Sequence, residues 1–230
     1  MPTPVEKLDN PVWYSLTETH QQFAIVYDEV KFYQPDYCPF GGFVAMEQTA
    51  DALNKYARLA DSFFVVGNRP GLPEGLILQN ELACRQMVLD QQPALEITEE
   101  IVELQSQQYD ELFDLVNLVQ PGYFRKKTPL LGAYFGIYKD EKLVAVTGER
   151  MQMHEYTEVS AVVTHPDYTG KGYAKQLVAH AANKIFSENK FPYLHVADTN
   201  AGAISLYEKL GFVTRRKISF WHIVKTADDK

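Results

Sequence analysis

The stretch from Val159 to Ala174, VSAVVTHPDYTGKGYA, has the pattern of a strand, a tight turn and a helix start. Successive backbone N–H groups in a glycine-bearing turn that feeds a helix N-terminus form a concave positive site for phosphate. Gly170 and Gly172 let the backbone come close to such a group, and Lys171 adds a charge. The turn carries neither GxxxxGKS/T nor a full GxGxxG, so nucleotide hydrolysis and dinucleotide redox chemistry lose their main sequence support. His165 stands before Pro166 at the strand exit and is placed to shape the turn. Cys38 and Cys84 are the only cysteines; they form no disulfide framework and no zinc-ligand pattern, so no metal is expected.

These residues need elements to position them. Asn10-Pro11 reads as an N-cap followed by proline in the first helical turn. Trp13, Leu16, Phe23, Tyr27 and Val30 then recur at helical spacing and predict a helix over 11–32, with His20 as a core histidine on its stripe. Residues 34–42 hold two prolines and two glycines and read as an irregular loop. A helix over 47–60, a short strand over 63–66, a turn over 68–71 and an apolar segment over 82–89 follow. The break at Gln91-Gln92-Pro93-Ala94 divides the chain into an accessory region, 1–96, and a second domain, 97–230. In that domain, 99–119 reads as one helix or two short ones, and 132–147 as a β-hairpin. A strand over 158–164, a helix over 174–187, a strand over 193–197, a helix over 201–210 closed by Gly211 and a strand over 218–224 complete an α/β order. No internal repeat is visible.

Thirty residues beyond the turn stands Asn200-Ala201-Gly202-Ala203-Ile204-Ser205-Leu206-Tyr207-Glu208-Lys209-Leu210-Gly211-Phe212. Together the two segments resemble the GNAT superfamily of acetyl-CoA-dependent N-acetyltransferases. There a pyrophosphate-binding turn is followed by an N-x-x-A-x-x-L-Y-x-x-x-G-F helix. Glu149-Arg150-Met151, Thr157 to Val162 and Thr164-His165-Pro166 look most like its glycine N-acyltransferase-like branch. The N-terminal Asn10-Pro11-Val12-Trp13 segment with His20 is similar to the extra region that precedes bacterial members. The resemblance implies a mixed, mostly antiparallel sheet flanked by helices, with acetyl-CoA as co-substrate. It implies that Val162, Val163 and Thr164 lie along the pantetheine arm and that residues Thr169, Gly170, Lys171, Gly172, Tyr173 and Ala174 hold the pyrophosphate. Asn200, Ala203 and Tyr207 would complete the cofactor site, with Tyr207 placed to protonate the leaving thiolate. Thr169 stands where the family usually has Arg or Gln, so one long donor is missing. For the amine's proton, Glu158 is the first candidate, because it enters the cofactor strand from the acceptor side. Glu149 is the second; Glu155, His154 and Tyr156 lie nearby.

The remaining 96 residues would cover the acceptor end, as an accessory region or a degenerate half of a tandem acyltransferase. The expected function is acetyl transfer to a primary amine of a small-molecule or amino-acid-like acceptor by direct attack. The alternative is a noncatalytic CoA-binding module with a protein partner. The composition agrees with a folded enzyme: 230 residues, 46% hydrophobic and 23% charged. The formal charge of −8 sits almost wholly in the first 96 residues, with 6 basic and 13 acidic side chains against 16 and 17 in the rest. Nucleic acid, which calls for a basic stripe, is not an expected partner. Arg125-Lys126-Lys127 and Arg215-Arg216-Lys217 read as solvated faces. No membrane partner is expected, the start lacks a leader pattern, and the cytoplasm is the default. A homodimer would pair through exposed aromatics such as Phe40, Phe43 or Trp221, the alternative for the last strand being core.

Overall fold

A computed structural model describes residues 4–226. The helices are α1 (Pro4–Lys7), α2 (Pro11–Thr17), α3 (Thr49–Tyr56), α4 (Tyr109–Val119), α5 (Tyr173–Ser187) and α6 (Ala201–Lys209). The strands are β1 (Ala24–Tyr27), β2 (Val30–Tyr33), β3 (Phe40–Phe43), β4 (Ser62–Val66), β5 (Leu76–Val88), β6 (Val102–Glu103), β7 (Tyr134–Lys139), β8 (Lys142–Gln152), β9 (Tyr156–Thr164), β10 (Phe191–Ala197) and β11 (Val213–Lys225). They form one sheet, in the order β1, β2, β3, β4, β11, β5, β10, β9, β8, β7, β6. Only β3 with β4 and β9 with β10 run parallel. The mixed, mostly antiparallel sheet flanked by helices is the expected one.

The order contains a repeat that the sequence hides. Three antiparallel strands, β1 to β3, are followed by α3 and the parallel strand β4; β7 to β9 are followed by α5 and the parallel strand β10. The strand that follows each unit lies in the other unit: β5 pairs with β10, and β11 pairs with β4. β5 and β11 then join the halves along an antiparallel pairing that runs from Val88 opposite Val213 to Leu76 opposite Lys225. The sheet therefore does not part at residue 96. The segment after β5 is where the chain crosses from one unit to the other, while β5 itself sits inside the second unit.

The predicted helix over 11–32 ends at Thr17. Beyond it, the β-branched and aromatic residues Ile25, Val26, Tyr27, Val30, Phe32 and Tyr33 suit a pleated surface better than a helix. They pair as a hairpin whose turn holds Asp28 at φ +52°. Asn10 makes no side-chain cap; its Nδ2 donates to the Phe43 carbonyl at 2.7 Å and ties α2 to β3. Phe40 to Phe43 form a buried strand and not part of a loop, because the Phe32 ring lies over Gly41, where a Cβ would stand 2.2 Å from it. The expected helix over 99–119 begins only at Tyr109; Val102 and Glu103 pair with β7. Phe40 and Phe43 are buried and Trp221 is half-buried, its indole N–H donating to the Gly67 carbonyl, so none is an exposed pairing surface.

His20 is a core histidine, as expected. Its Nδ1 lies 2.9 Å from the Tyr33 hydroxyl and 3.2 Å from that of Ser15. Burial brings its pKa down to about 4, against the opposing pull of the Leu131 carbonyl, with Lys190 adding to the fall. Between pH 6.5 and 4 the unfolded chain binds a proton that the native chain refuses, so stability falls as pH falls through this window. At about 1.4 kcal/mol per pH unit the loss reaches about 3 kcal/mol. Denaturant unfolding at pH 7 and pH 4.5 should show His20→Gln losing about 2 kcal/mol less than the wild type.

Candidate active site

β9 and β10 are hydrogen-bonded neighbours only at Phe191 opposite Tyr156, Pro192 opposite Thr157 and Tyr193 opposite Glu158. Beyond Glu158 they diverge, and a cavity of about 390 Å³ opens between them, lined by Glu158 to Val163 on one side and His195 to Ala197 on the other. On β9 the pairing with β8 shifts between Gly148 opposite Ser160 and Val146 opposite Val163, and Ala161 takes φ +51°. This bulge turns backbone groups of Ala161 and Val162 out of the regular ladder beside the cavity.

Asn200, Ala203 and Tyr207 also line the cavity. Asn200 caps α6, its Oδ1 accepting from the Ala203 N–H at 3.1 Å. Tyr207 is 7% exposed and its ring meets Phe212 edge to face. Its hydroxyl makes no hydrogen bond among the described residues, and burial pushes its pKa up to about 12. The phenol is therefore a protonated, unengaged donor at neutral pH.

A second hollow of about 420 Å³ is lined by Thr164, Thr169, Gly170, Lys171, Gly172, Tyr173 and Ala174, with Lys175 beside them and Gly202, Ser205 and Lys209 from α6. Gly170 and Gly172 lie at φ +76° and +80°, where a side chain would be strained, and a Cβ on either would meet only open space. The turn thus holds its concave shape without being filled. It ends at the first turn of the fifteen-residue α5, whose free N–H groups favour an anion. The Thr169 hydroxyl braces the turn by donating to the Pro166 carbonyl at 3.1 Å. Lys171, Lys175 and Lys209 supply the positive charge that a missing long donor would have given. Lys175 and Lys209 escape a motif-based reading, although Lys175 follows Ala174 directly and Lys209 lies just past Tyr207 on the same helix. His165 shapes the turn, its Nδ1 accepting from the Asp167 N–H at 3.3 Å.

The two expected bases are separated. Glu149 faces α5, where Lys184 donates to it at 2.9 Å and the Ala133 N–H at 3.2 Å; it does not line the cavity. Glu158 does line it, 1% exposed, but its oxygens are taken. Arg150 donates to them through Nε and Nη2, both at 2.8 Å, and His195 lies at 2.8 Å through Nδ1. Burial alone would raise the Glu158 pKa; the charge and hydrogen bonds of Arg150, with His195, outweigh it and hold the carboxyl down at about 2. A carboxylate so held is a weak base.

The rest of the network fixes His195. Gln86 donates from Nε2 to the Leu8 carbonyl at 2.7 Å, while its Oε1 accepts from Arg215 at 2.9 Å. Its amide is thereby oriented, and the remaining Nε2 hydrogen faces His195 Nε2 at 3.1 Å. That nitrogen must accept, so Nδ1 carries the ring proton and donates it to Glu158. Cys84, also on the cavity wall, is pushed up to about 12 by burial. No lining side chain is left as a free base. Arg150, Gln86, His195 and Cys84 escape the sequence as site residues because β5 and β10 bring them together only through the crossed topology. Among the described residues no group of His, Cys, Asp and Glu is arranged to hold a metal, and no helix is long and apolar enough to cross a membrane.

A splayed strand pair with a bulge, a glycine turn at a helix start and a capped helix carrying an unengaged tyrosine occur together here. The sequence pattern of the Acetyltransferase (GNAT) family matches residues 95–212, more than half of the chain. The chain belongs to the GNAT acetyltransferase family. It is 30% identical to a GNAT-family protein of Novosphingobium aromaticivorans DSM 12444 over 96% of this chain and 99% of that one, with a TM-score of 0.89. It shares its fold with a GCN5-related N-acetyltransferase from Kribbella flavida, at 14% identity and a TM-score of 0.61 over 93% and 96% of the two chains. A GCN5-related N-acetyltransferase-like protein from Streptococcus suis 89/1591 is similar at 16% identity and a TM-score of 0.61, over 96% and 97%. No curated protein matches significantly. Residues 95–212 of this GNAT chain omit β5, so the family pattern covers the β9, β10 and α6 lining of the cavity but not Leu82 and Cys84.

Proposed function

We propose that this GNAT protein transfers an acetyl group from acetyl-CoA to a primary amine of a small-molecule or amino-acid-like acceptor, by direct attack with both substrates bound. The observation that carries the reading is that the two hollows draw on consecutive residues of the same two elements, Val163 and Thr164 of β9 and Gly202 and Ala203 of α6, with Tyr207 and its unengaged hydroxyl on the wall of the first. The residues fit the co-substrate. The open glycine turn, the α5 N-terminus and the three lysines suit a pyrophosphate. The β9 edge at Val162, Val163 and Thr164, unpaired with β10 beyond Glu158, suits the amide-bearing arm.

Bound acetyl-CoA supplies an activated carbonyl carbon; the protein contributes position and proton control. Backbone groups at the Ala161–Val162 bulge are placed to polarise the carbonyl as charge grows on its oxygen. Tyr207 holds the proton that the departing thiolate needs. Glu158 keeps Arg150 fixed and neutralised, Glu149 anchors α5 to β8, and the amine enters unprotonated or gives its proton to water. Residues 1–96 act as the degenerate partner half, a reading supported by the repeated strand order and by β5 forming one wall of the cavity. The protein remains a candidate for the glycine N-acyltransferase-like branch on its motifs alone.

Thermal unfolding with acetyl-CoA, CoA and ATP tests the cofactor site. Ligand at about 100 times its dissociation constant adds about 2.7 kcal/mol, a rise of roughly 5 to 10 °C for a chain of this size. A rise with both CoA forms and none with ATP is expected; no rise at millimolar acetyl-CoA overturns the reading.

A further inference from the structure

The acceptor end of the cavity carries a group that the transfer chemistry leaves idle. Arg150 binds Glu158 through Nε and Nη2, and Nη1 makes no hydrogen bond to any described residue. The guanidinium is fixed from two directions, in plane by the two-pronged contact with Glu158 and on its face by Phe40, whose ring centre lies 4.6 Å from Cζ. Nη1 is not one of the sealed, unpartnered atoms of the interior. The side chain keeps 13% of its surface, and Arg150 borders the cavity. Two N–H hydrogens on a rigid cation thus meet accessible space in the cavity wall.

The wall carries aromatic and aliphatic side chains among polar ones such as Thr128 and His195. Phe40, Leu82, Tyr123, Phe124 and Phe220 line the cavity; Phe40 stacks on Arg150 and meets Phe220 edge to face at 5.2 Å. The carboxylate that could have engaged Nη1, Glu158, is already committed. A ligand suited to this end has an oxygen anion for Nη1 and an apolar body for the rings. Its nitrogen must reach an acetyl carbonyl at the Ala161–Val162 bulge, three to four residues along β9 from Glu158, or about 10 to 13 Å at 3.3 Å per residue. An α-amino acid, its amine and carboxylate about 3 Å apart, covers that distance together with the acetyl carbonyl between its nitrogen and the bulge, each contact being about 3 Å.

We infer that the acceptor is an α-amino acid with a bulky apolar or aromatic side chain, its carboxylate held by Arg150 Nη1. This rests on the N-acyltransferase reading and goes beyond it by naming the acceptor class and the residue that selects it. Because Glu158 already balances the Arg150 charge, the selection comes from one charge-assisted hydrogen-bonding contact, which corresponds to about 10- to 100-fold.

The test is CoA release at saturating acetyl-CoA with L-phenylalanine, L-leucine, their amides, 2-phenylethylamine, 3-methylbutylamine and glycine, each compared at equal concentration of unprotonated amine. Calorimetry of the same compounds with the CoA-bound protein runs beside it. The expected result is a kcat/KM at least 10-fold higher for the two acids than for their amides and amines, with glycine below both acids. Arg150→Lys should bring acids and amines within about 3-fold of each other. Equal or faster turnover of the amines or amides overturns the carboxylate assignment while acetyl transfer stands. Glycine as the best acceptor overturns the apolar part. Acids that bind in an Arg150-dependent way with no CoA release support the binding assignment and overturn the transfer reading instead. Neither binding nor release overturns both. Should Arg150→Lys not fold, the acceptor series on the natural protein decides alone.

Discussion

Tyr207→Phe should lower kcat by about 10²- to 10³-fold at saturating acceptor, the range for loss of a positioned proton donor. Stability should change by less than about 1 kcal/mol, because the hydroxyl has no hydrogen-bond partner to lose and the ring that packs on Phe212 remains. The acetyl-CoA-dependent rise in unfolding temperature should persist, since the turn at Thr169 to Ala174 and the cap at Asn200 are untouched. These outcomes separate a proton donor from a packing residue: a packing role would give a small, uniform loss with some destabilisation. The pH dependence adds a sign. Burial raises the phenol to about 12, above the ordinary value near 10, so it remains a donor up to about pH 11. Steady-state CoA release across pH 6 to 10 should therefore show no alkaline decline from this group. An unchanged kcat in Tyr207→Phe would end its assignment as the acid.

Legibility in the sequence follows from locality. The turn at Gly170 and Gly172 and the helix with Asn200, Tyr207 and Gly211 are contiguous patterns, each set by φ requirements or 3.6-residue spacing, and both are where the sequence places them. The N-terminal error has a physical cause. Trp13, Leu16, Phe23, Tyr27 and Val30 can be threaded on a helical stripe, but Phe23 to Tyr33 is also a run of β-branched and aromatic residues. Tertiary pairing with β3 through Val30, Lys31 and Phe32 decides between the two. The repeat of the two sheet units has no sequence counterpart, because it is defined by hydrogen-bond partners such as Leu82 opposite Phe220 that lie far apart in the chain. For the same reason Glu158 could be placed on the cavity wall but not judged as a base. What disqualifies it is Arg150 on the neighbouring strand and His195 on β10, held in turn by Gln86 from β5.

That network makes the second large effect a loss of stability. Glu158→Gln keeps the shape of the side chain but removes the charge, and leaves the Arg150 guanidinium buried beside Phe40 with an amide N–H group against its own donors. Breaking one side of a buried ion pair costs about 3 to 5 kcal/mol, a fall in unfolding temperature of roughly 6 to 20 °C at this chain length. The natural carboxyl is held at about 2 against an ordinary 4.5, so its contribution is complete above about pH 4.5 and is lost as pH falls toward 2. Unfolding of the natural protein should therefore steepen in acid over that window, and the variant should lack this component. Removing both charges in Glu158→Gln with Arg150→Met should recover part of the loss, since an apolar replacement for a buried pair is often neutral. A general base would behave otherwise: kcat would fall by 10²-fold or more with stability intact, and the double variant would recover nothing. Denaturant unfolding of the single and double variants, read beside CoA release, distinguishes a carboxylate that holds the acceptor-binding arginine from one that takes the amine's proton.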